Sequence, residues 1–130
     1  MSDDLLQAAH AARNRAHAPY SNFKVGAAVR GASGRVYGGC NVENAAYPEG
    51  ICAEASAIGA MVLAGESKIV EVLVVGISEA PVTPCGGCRQ KIREFAAPDT
   101  PIHVAGADGV QMTLTLEALL PQSFGPDNLS

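Results

Sequence analysis

Tryptophan is absent from the chain, and only three Tyr and three Phe stand among its 130 residues. With 48% hydrophobic residues and so little aromatic content, the core has to be built mainly from Ala, Val, Ile and Leu, which suits helices packed closely on a sheet. Runs of Lys or Arg are missing as well, and the formal net charge is −4. A protein that grips a phosphate backbone carries grouped positive charge, so a nucleic-acid polymer is not the expected partner. No apolar run reaches the length that spans a bilayer, and Met1-Ser2-Asp3-Asp4 does not open like a secretory leader. The expectation is a cytoplasmic protein with no membrane partner. In a reducing compartment its four cysteines are read as thiols, metal ligands or catalytic groups, not as disulfides.

What is present reads as one compact domain over residues 1–130, long enough to bury a core without covalent staples. Ser2 is expected to cap a helix on which Leu5, Ala9, Ala12 and Ala16 recur until Pro19. Phe23 to Arg30 and Arg35 to Val42 read as the strands of a hairpin turning at Ser33-Gly34. Cys52 to Ala64 is a helix, apolar almost all round and so expected to be buried, with Gly65 in the left-handed cap position. Ile69 to Ile77 has the near-continuous apolar character of a central strand covered on both faces. Cys88 to Phe95 reads as a further helix. Ile102 to Ala105 and Val110 to Leu114 flank the tight-turn pair Asp108-Gly109, and Thr115 caps a short last helix from Leu116 to Leu120. The alternation predicts an α/β fold in three layers: a mixed five-stranded sheet with helices on both faces. Its last two strands are antiparallel, because so short a link cannot cross over.

Three segments carry chemistry: Asn41-Val42-Glu43-Asn44 at a strand end, Cys52-Ala53-Glu54 at a helix start, and Pro84-Cys85-Gly86-Gly87-Cys88-Arg89-Gln90 opening the next helix. A thiol at a helix N-terminus faces unpaired N–H groups and the positive end of the helix dipole, which favour thiolate. Two such starts side by side would gather Cys52, Cys85 and Cys88 round one point. Three protein ligands with a fourth position open is the arrangement of a catalytic zinc, whose bound water loses a proton near neutral pH. Glu54, two residues from Cys52, can face the open position without ligating. From there it can move a proton between water and substrate, which is worth roughly 10²–10⁴-fold in rate. Zinc nucleobase deaminases share this pattern.

On these motifs the chain resembles the small homotetrameric cytidine deaminases over essentially its whole length. Ser21-Asn22-Phe23-Lys24-Val25-Gly26-Ala27-Ala28 and the ending Leu119-Leu120-Pro121-Gln122-Ser123-Phe124 are also typical of that family. The resemblance implies hydrolysis of free cytidine or deoxycytidine to the uridine and ammonia, with one zinc per subunit and a free pyrimidine nucleoside as substrate. A zinc-bound hydroxide would attack the ring carbon bearing the amine while Glu54 shuttles protons. Asn41 and Glu43 would hold the ribose, Phe23 would pack on the nucleoside, backbone groups at Ala53 would read the base carbonyl, and Tyr47 would line the same region. Phe124 would enter the site of a neighbouring subunit of the homotetramer. One position departs from the family: many members carry Arg directly after the glutamate, and here Ala55 stands there. Arg89 and the two helix N-termini are then expected to offset the thiolate charge.

Other readings attach to the same residues. A lone C-x-x-C is compatible with a thioredoxin-like redox pair, but that leaves Cys52-Ala53-Glu54 without a role and lacks the usual flanking Trp. A closed structural zinc in a non-catalytic interaction domain would need Cys40 or a histidine as fourth ligand. Cys40 reads instead as a core thiol, and His10 and His17 on the first helix and His103 on a strand as structural or surface residues. Gly26, Gly38 and Gly39 are expected to serve backbone packing or bulges. An aminohydrolase for another cytosine-like compound, such as blasticidin S, is the enzymatic alternative.

Overall fold

In the computed structural model, which describes residues 2–130, the apolar run that begins at Ile69 becomes the middle of the molecule. β1 (Val25–Gly31), β2 (Val36–Cys40), β3 (Ile69–Gly76), β4 (Pro101–Gly106) and β5 (Gly109–Thr115) form one sheet in the order β2-β1-β3-β4-β5. β1 runs antiparallel to β2 and β3, β3 pairs parallel with β4, and β4 and β5 close the expected antiparallel hairpin. Val72 to Val75 of β3 are fully buried, as a strand covered on both faces requires.

The two faces divide by the period-two alternation of the strands. On one, Leu5 and Ala9 of α1 (Ser2–Arg13) pack with Ala28, Leu73, Val75 and Ala105. On the other, Ala57 and Met61 of α2 (Ala53–Leu63), Ile92 of α3 (Gly86–Arg93) and Leu116 of α4 (Leu116–Leu119) pack with Ala27, Val29, Val72 and Ile102. The three-layer expectation holds. A polar line crosses the sheet as well, from Arg30 on β1 through Glu71 on β3 to His103 on β4 and Thr113 on β5.

Two glycines set how closely the helices approach. A Cβ on Gly39 would lie 2.3 Å from the Ala57 nitrogen and 2.6 Å from the Ala53 oxygen, so β2 and the start of α2 touch backbone to backbone. On the opposite face a Cβ on Gly26 would lie 2.0 Å from the Ala9 oxygen of α1. Both are close-approach positions of the kind expected. Gly38 has only ordinary contacts, the nearest at 3.5 Å.

Several element ends differ from the sequence reading, each for a local reason. α1 stops at Arg13, and His17 lies beyond it in a bridge to Val42, its N–H donating to the Asn41 carbonyl at 3.0 Å. The side chain of the expected cap, Ser2, lies outside the described residues. β1 begins at Val25, not Phe23, because Asn22 turns through a φ of 56° and the Asn41 side chain takes the Val25 N–H and the Phe23 carbonyl. β2 ends at Cys40, since Val42 pairs with Ile51 and His17 instead. α3 starts at Gly86, with Cys85 as its N-cap, because the Arg89 N–H already donates to the Cys85 carbonyl at 2.9 Å across the two glycines. α2 is buried along one face only. Its last residues Val62 and Leu63 are 48% and 90% exposed, while Gly65, at a φ of 95°, closes it as expected.

Candidate metal centre and active site

Both central helices begin at a cysteine. Cys52 is the N-cap of α2, Cys85 is the N-cap of α3, and Cys88 sits fully buried in the first turn of α3. The three Sγ atoms lie within 4.8 Å of one another, with Cys52 and Cys85 3.9 Å apart. Ligands about 2.3 Å from a tetrahedral zinc stand about 3.8 Å from each other, so this donor set fits a zinc ion with one position left open. Among the described residues no other group of three His, Cys, Asp or Glu is gathered in this way. Cys40 and the three histidines lie outside the cluster, so the fourth ligand of a closed structural site is not assembled.

The charges are tuned unevenly. Cys85 is held below the usual thiol range, chiefly by the backbone N–H of Cys88. Burial pushes Cys52 and Cys88 up, and neighbouring negative groups add to this. A bound divalent cation would reverse that balance, because metal ligation requires thiolate and releases protons. Glu54, in the first turn of α2, is 4% exposed, and burial raises it above the ordinary carboxylate range while the Cys88 thiol and the Lys91 ammonium oppose the shift. A carboxyl raised in this way keeps its proton more readily than an exposed one.

Glu54 faces a cleft of about 210 Å³ lined by Val25, Asn41, Cys52, Ala53, Val82, Thr83 and Cys85. As the first residue of α2, Ala53 has a backbone N–H with no acceptor inside the helix. The Asn41 side chain is doubly engaged: its Oδ1 accepts from the Val25 N–H at 2.8 Å, and its Nδ2 donates to the Phe23 carbonyl at 2.9 Å. One lone pair and one N–H remain on that amide. Glu43 lies in a separate cleft of about 340 Å³ with Tyr20, Ser21, Asn44, Tyr47 and Gly50. Its carboxylate accepts from the Ser21 hydroxyl and from the Tyr20 and Ser21 N–H groups, the hydroxyl holding it below the usual range.

The structure thus gathers Cys52, Cys85, Cys88, Glu54, Ala53 and Asn41, and places Glu43 and Tyr47 in the second cleft. Phe23, Tyr47 and Phe124 are 37%, 77% and 58% exposed. Phe124 lies along the outer side of α3, where its carbonyl accepts from Gln90, and not in this chain's own cysteine cleft. The Arg89 guanidinium donates to the Pro84 carbonyl, the Leu119 carbonyl and the Thr83 hydroxyl, bracing the Cys85 segment against the end of α4. Sequence reasoning missed Thr83 and Val82 as cleft walls and Ser21 as the anchor of Glu43. Thr83 could have been found from its place beside Pro84-Cys85, whereas Ser21 gives no local signal, being 22 residues from its partner.

A sheet presenting two cysteine-capped helices and a buried carboxylate to one cleft has the donor set of a zinc-dependent hydrolase. Residues 1–104 match the family model of the cytidine and deoxycytidylate deaminase zinc-binding region. The cytidine deaminase of Sporosarcina psychrophila is 39% identical over 98% of this chain and 94% of its own length, and that of Halalkalibacterium halodurans is 36% identical over 97% and 96%. The crystal structure of cytidine deaminase from Burkholderia pseudomallei superposes with a TM-score of 0.90 at 40% identity, covering 95% of this chain and 99% of that one. The chain belongs to the zinc-dependent cytidine deaminase family.

Proposed function

We propose that this protein hydrolyses free cytidine and deoxycytidine to uridine, or deoxyuridine, and ammonia. The observation that carries the reading is the cluster of Cys52, Cys85 and Cys88 at two helix starts, with the buried carboxyl of Glu54 beside it. These three sulfurs would hold a zinc ion, which when bound supplies a Lewis acid and lowers the pKa of water at its open position. Glu54 takes one proton from the water as its oxygen bonds to the amine-bearing carbon and passes it to the adjacent ring nitrogen; it then takes the second proton from the added hydroxyl and gives it to the amino group, so that the C–N bond breaks and ammonia leaves. The Ala53 N–H orients the base by donating to its carbonyl. Arg89 adds positive charge from behind the Cys85 segment.

At about 210 Å³ the cysteine cleft falls below the 300–1,000 Å³ usual for a whole ligand, so it takes the base and leaves the sugar outside. Asn41, in the wall of that cleft, offers its remaining amide valences toward the sugar, and Glu43 reads the sugar hydroxyls from the second cleft, with Tyr47 beside it and Phe23 packing on the nucleoside. This division favours a nucleoside over a compound without ribose. Phe23, Tyr47, Phe124 and Leu129 stand exposed, the kind of apolar surface that another subunit covers, which supports a homotetramer with Phe124 completing a neighbour's site. Residues 1–130 act as one domain unit within each subunit. Four unpaired cysteines fit a reducing cytoplasm, and no helix among the described residues is long and apolar enough to cross a membrane.

A substrate panel tests the proposal: cytidine, deoxycytidine, blasticidin S and a cytosine-containing oligonucleotide, each followed by ammonia release. Turnover of the two nucleosides alone is expected. Turnover of blasticidin S without cytidine, or of the oligonucleotide in preference to both, would contradict it.

A further inference from the structure

Glu43 lies on the segment between β2 and α2, where its N–H donates to the His17 carbonyl at 2.8 Å. A carboxylate on such a segment would sample several rotamers, and residues 20 and 21 hold this one in place. Its Oε1 accepts the Tyr20 N–H at 2.9 Å and the Ser21 N–H at 3.1 Å, and its Oε2 accepts the Ser21 hydroxyl. The two backbone donors would remain with another side chain at position 21; the hydroxyl is the contribution of serine. Both lone pairs of Oε1 are then engaged, and Oε2 keeps one acceptor place, whose direction the hydroxyl sets. The same Ser21 oxygen accepts the Phe23 N–H at 3.0 Å, which leaves its proton for Glu43. On the far side of Phe23, its carbonyl accepts from Asn41 Nδ2 at 2.9 Å. Residue 23 therefore ties the two clefts together: its N–H leads through Ser21 to Glu43 in one, and its carbonyl leads to Asn41 in the other. Asn22, between Ser21 and Phe23, takes a φ of 56°, a left-handed turn that asparagine tolerates.

We infer that Ser21 is a positioning residue for sugar recognition: its hydroxyl aims the Glu43 carboxylate and, through the Phe23 peptide, holds it in register with Asn41, so that two separate clefts read one nucleoside. This rests on the reading above, in which Asn41 and Glu43 meet the sugar. Ser21 itself needs no contact with the substrate, because both valences of its hydroxyl are spent on Glu43 and Phe23.

The test is steady-state kinetics of the full-length, zinc-loaded protein on cytidine and on 2′,3′-dideoxycytidine, which lacks both ring hydroxyls, with circular dichroism as the check on folding. Ser21→Ala should raise KM for cytidine by about 3–10-fold, the scale of one net hydrogen bond. Its kcat should stay within about twofold of the parent, since the change removes binding and not chemistry. On dideoxycytidine the same variant should differ from the parent by no more than about twofold in kcat/KM, because Glu43 has no hydroxyl to read there and Phe23 keeps its hold through Asn41. Ser21→Thr should restore KM for cytidine, because it keeps the hydroxyl and position 21 is exposed. Ser21→Ala combined with Glu43→Ala should be no worse than Glu43→Ala alone, since the pair acts as one unit. If Glu43→Ala leaves KM for cytidine unchanged, the sugar reading falls and takes the inference with it. If Glu43→Ala raises KM and Ser21→Ala does not, the inference alone falls. If Ser21→Ala impairs both substrates equally, or Ser21→Thr fails to restore KM, the residue acts through packing and the inference falls as well.

Discussion

At the scale of single residues, Asn41 shows one side chain serving two ends. Its amide closes the entry to β1 through the Val25 N–H and the Phe23 carbonyl, and the same group lines the cleft in front of Glu54. Asn41→Ala should therefore do two things at once. It should lower stability by about 1–3 kcal/mol, the cost of leaving backbone groups unpaired, and raise KM for cytidine. Urea denaturation and steady-state kinetics on the same preparation check both; a change in KM with no change in stability would contradict the structural half. The sequence named Asn41, with the cysteines and Glu54, because those residue types recur in a fixed local order. It could not show the hold on β1, because those partners lie 16 and 18 residues away and only folding brings them together.

At the scale of elements, the site depends on where α2 starts, and Gly39 fixes that. Gly39→Ala would force a methyl group against the Ala57 nitrogen and the Ala53 oxygen, at 2.3 and 2.6 Å, with backbone on both sides and no flexible side chain to yield. Overpacking of this kind costs about 1–3 kcal/mol. Because the displaced turn carries Cys52 and Glu54, zinc retention should weaken along with the melting temperature. A variant that melts earlier but retains zinc like the parent would show that α2 moves without disturbing the cluster. The elements themselves were legible: the apolar run of β3, the Asp108-Gly109 hairpin, the Gly65 stop and the Thr115 cap, whose side chain accepts from the Ala118 N–H at 3.1 Å, all stand where pattern put them. Their ends were not. β1 and β2 are trimmed where side chains and isolated bridges take over the pairing groups, and α3 starts and ends two residues early because two glycines following a cysteine look like a break but accept helical geometry.

At the scale of the whole molecule, the order β2-β1-β3-β4-β5 sets the long antiparallel pair of β1 and β3 beside the parallel pair of β3 and β4. α2 and α3 then lie on the same face with their N-termini together, and three cysteines from two distant segments become one cluster. The mixed, three-layer class could be read from the alternation of elements. The strand order could not, and the subunit arrangement rests on family resemblance together with the exposed apolar residues. The central claim is that this assembled cleft deaminates cytidine with Glu54 as the proton carrier. Its most direct test follows the loss of cytidine's ultraviolet absorbance with the parent and with Glu54→Gln, zinc content being assayed in both. The parent should convert cytidine, while Glu54→Gln keeps its zinc and loses at least about 10²-fold in rate, the lower end of what a general acid–base group supplies. A zinc-loaded parent that leaves cytidine untouched, or a Glu54→Gln variant as fast as the parent, would contradict it.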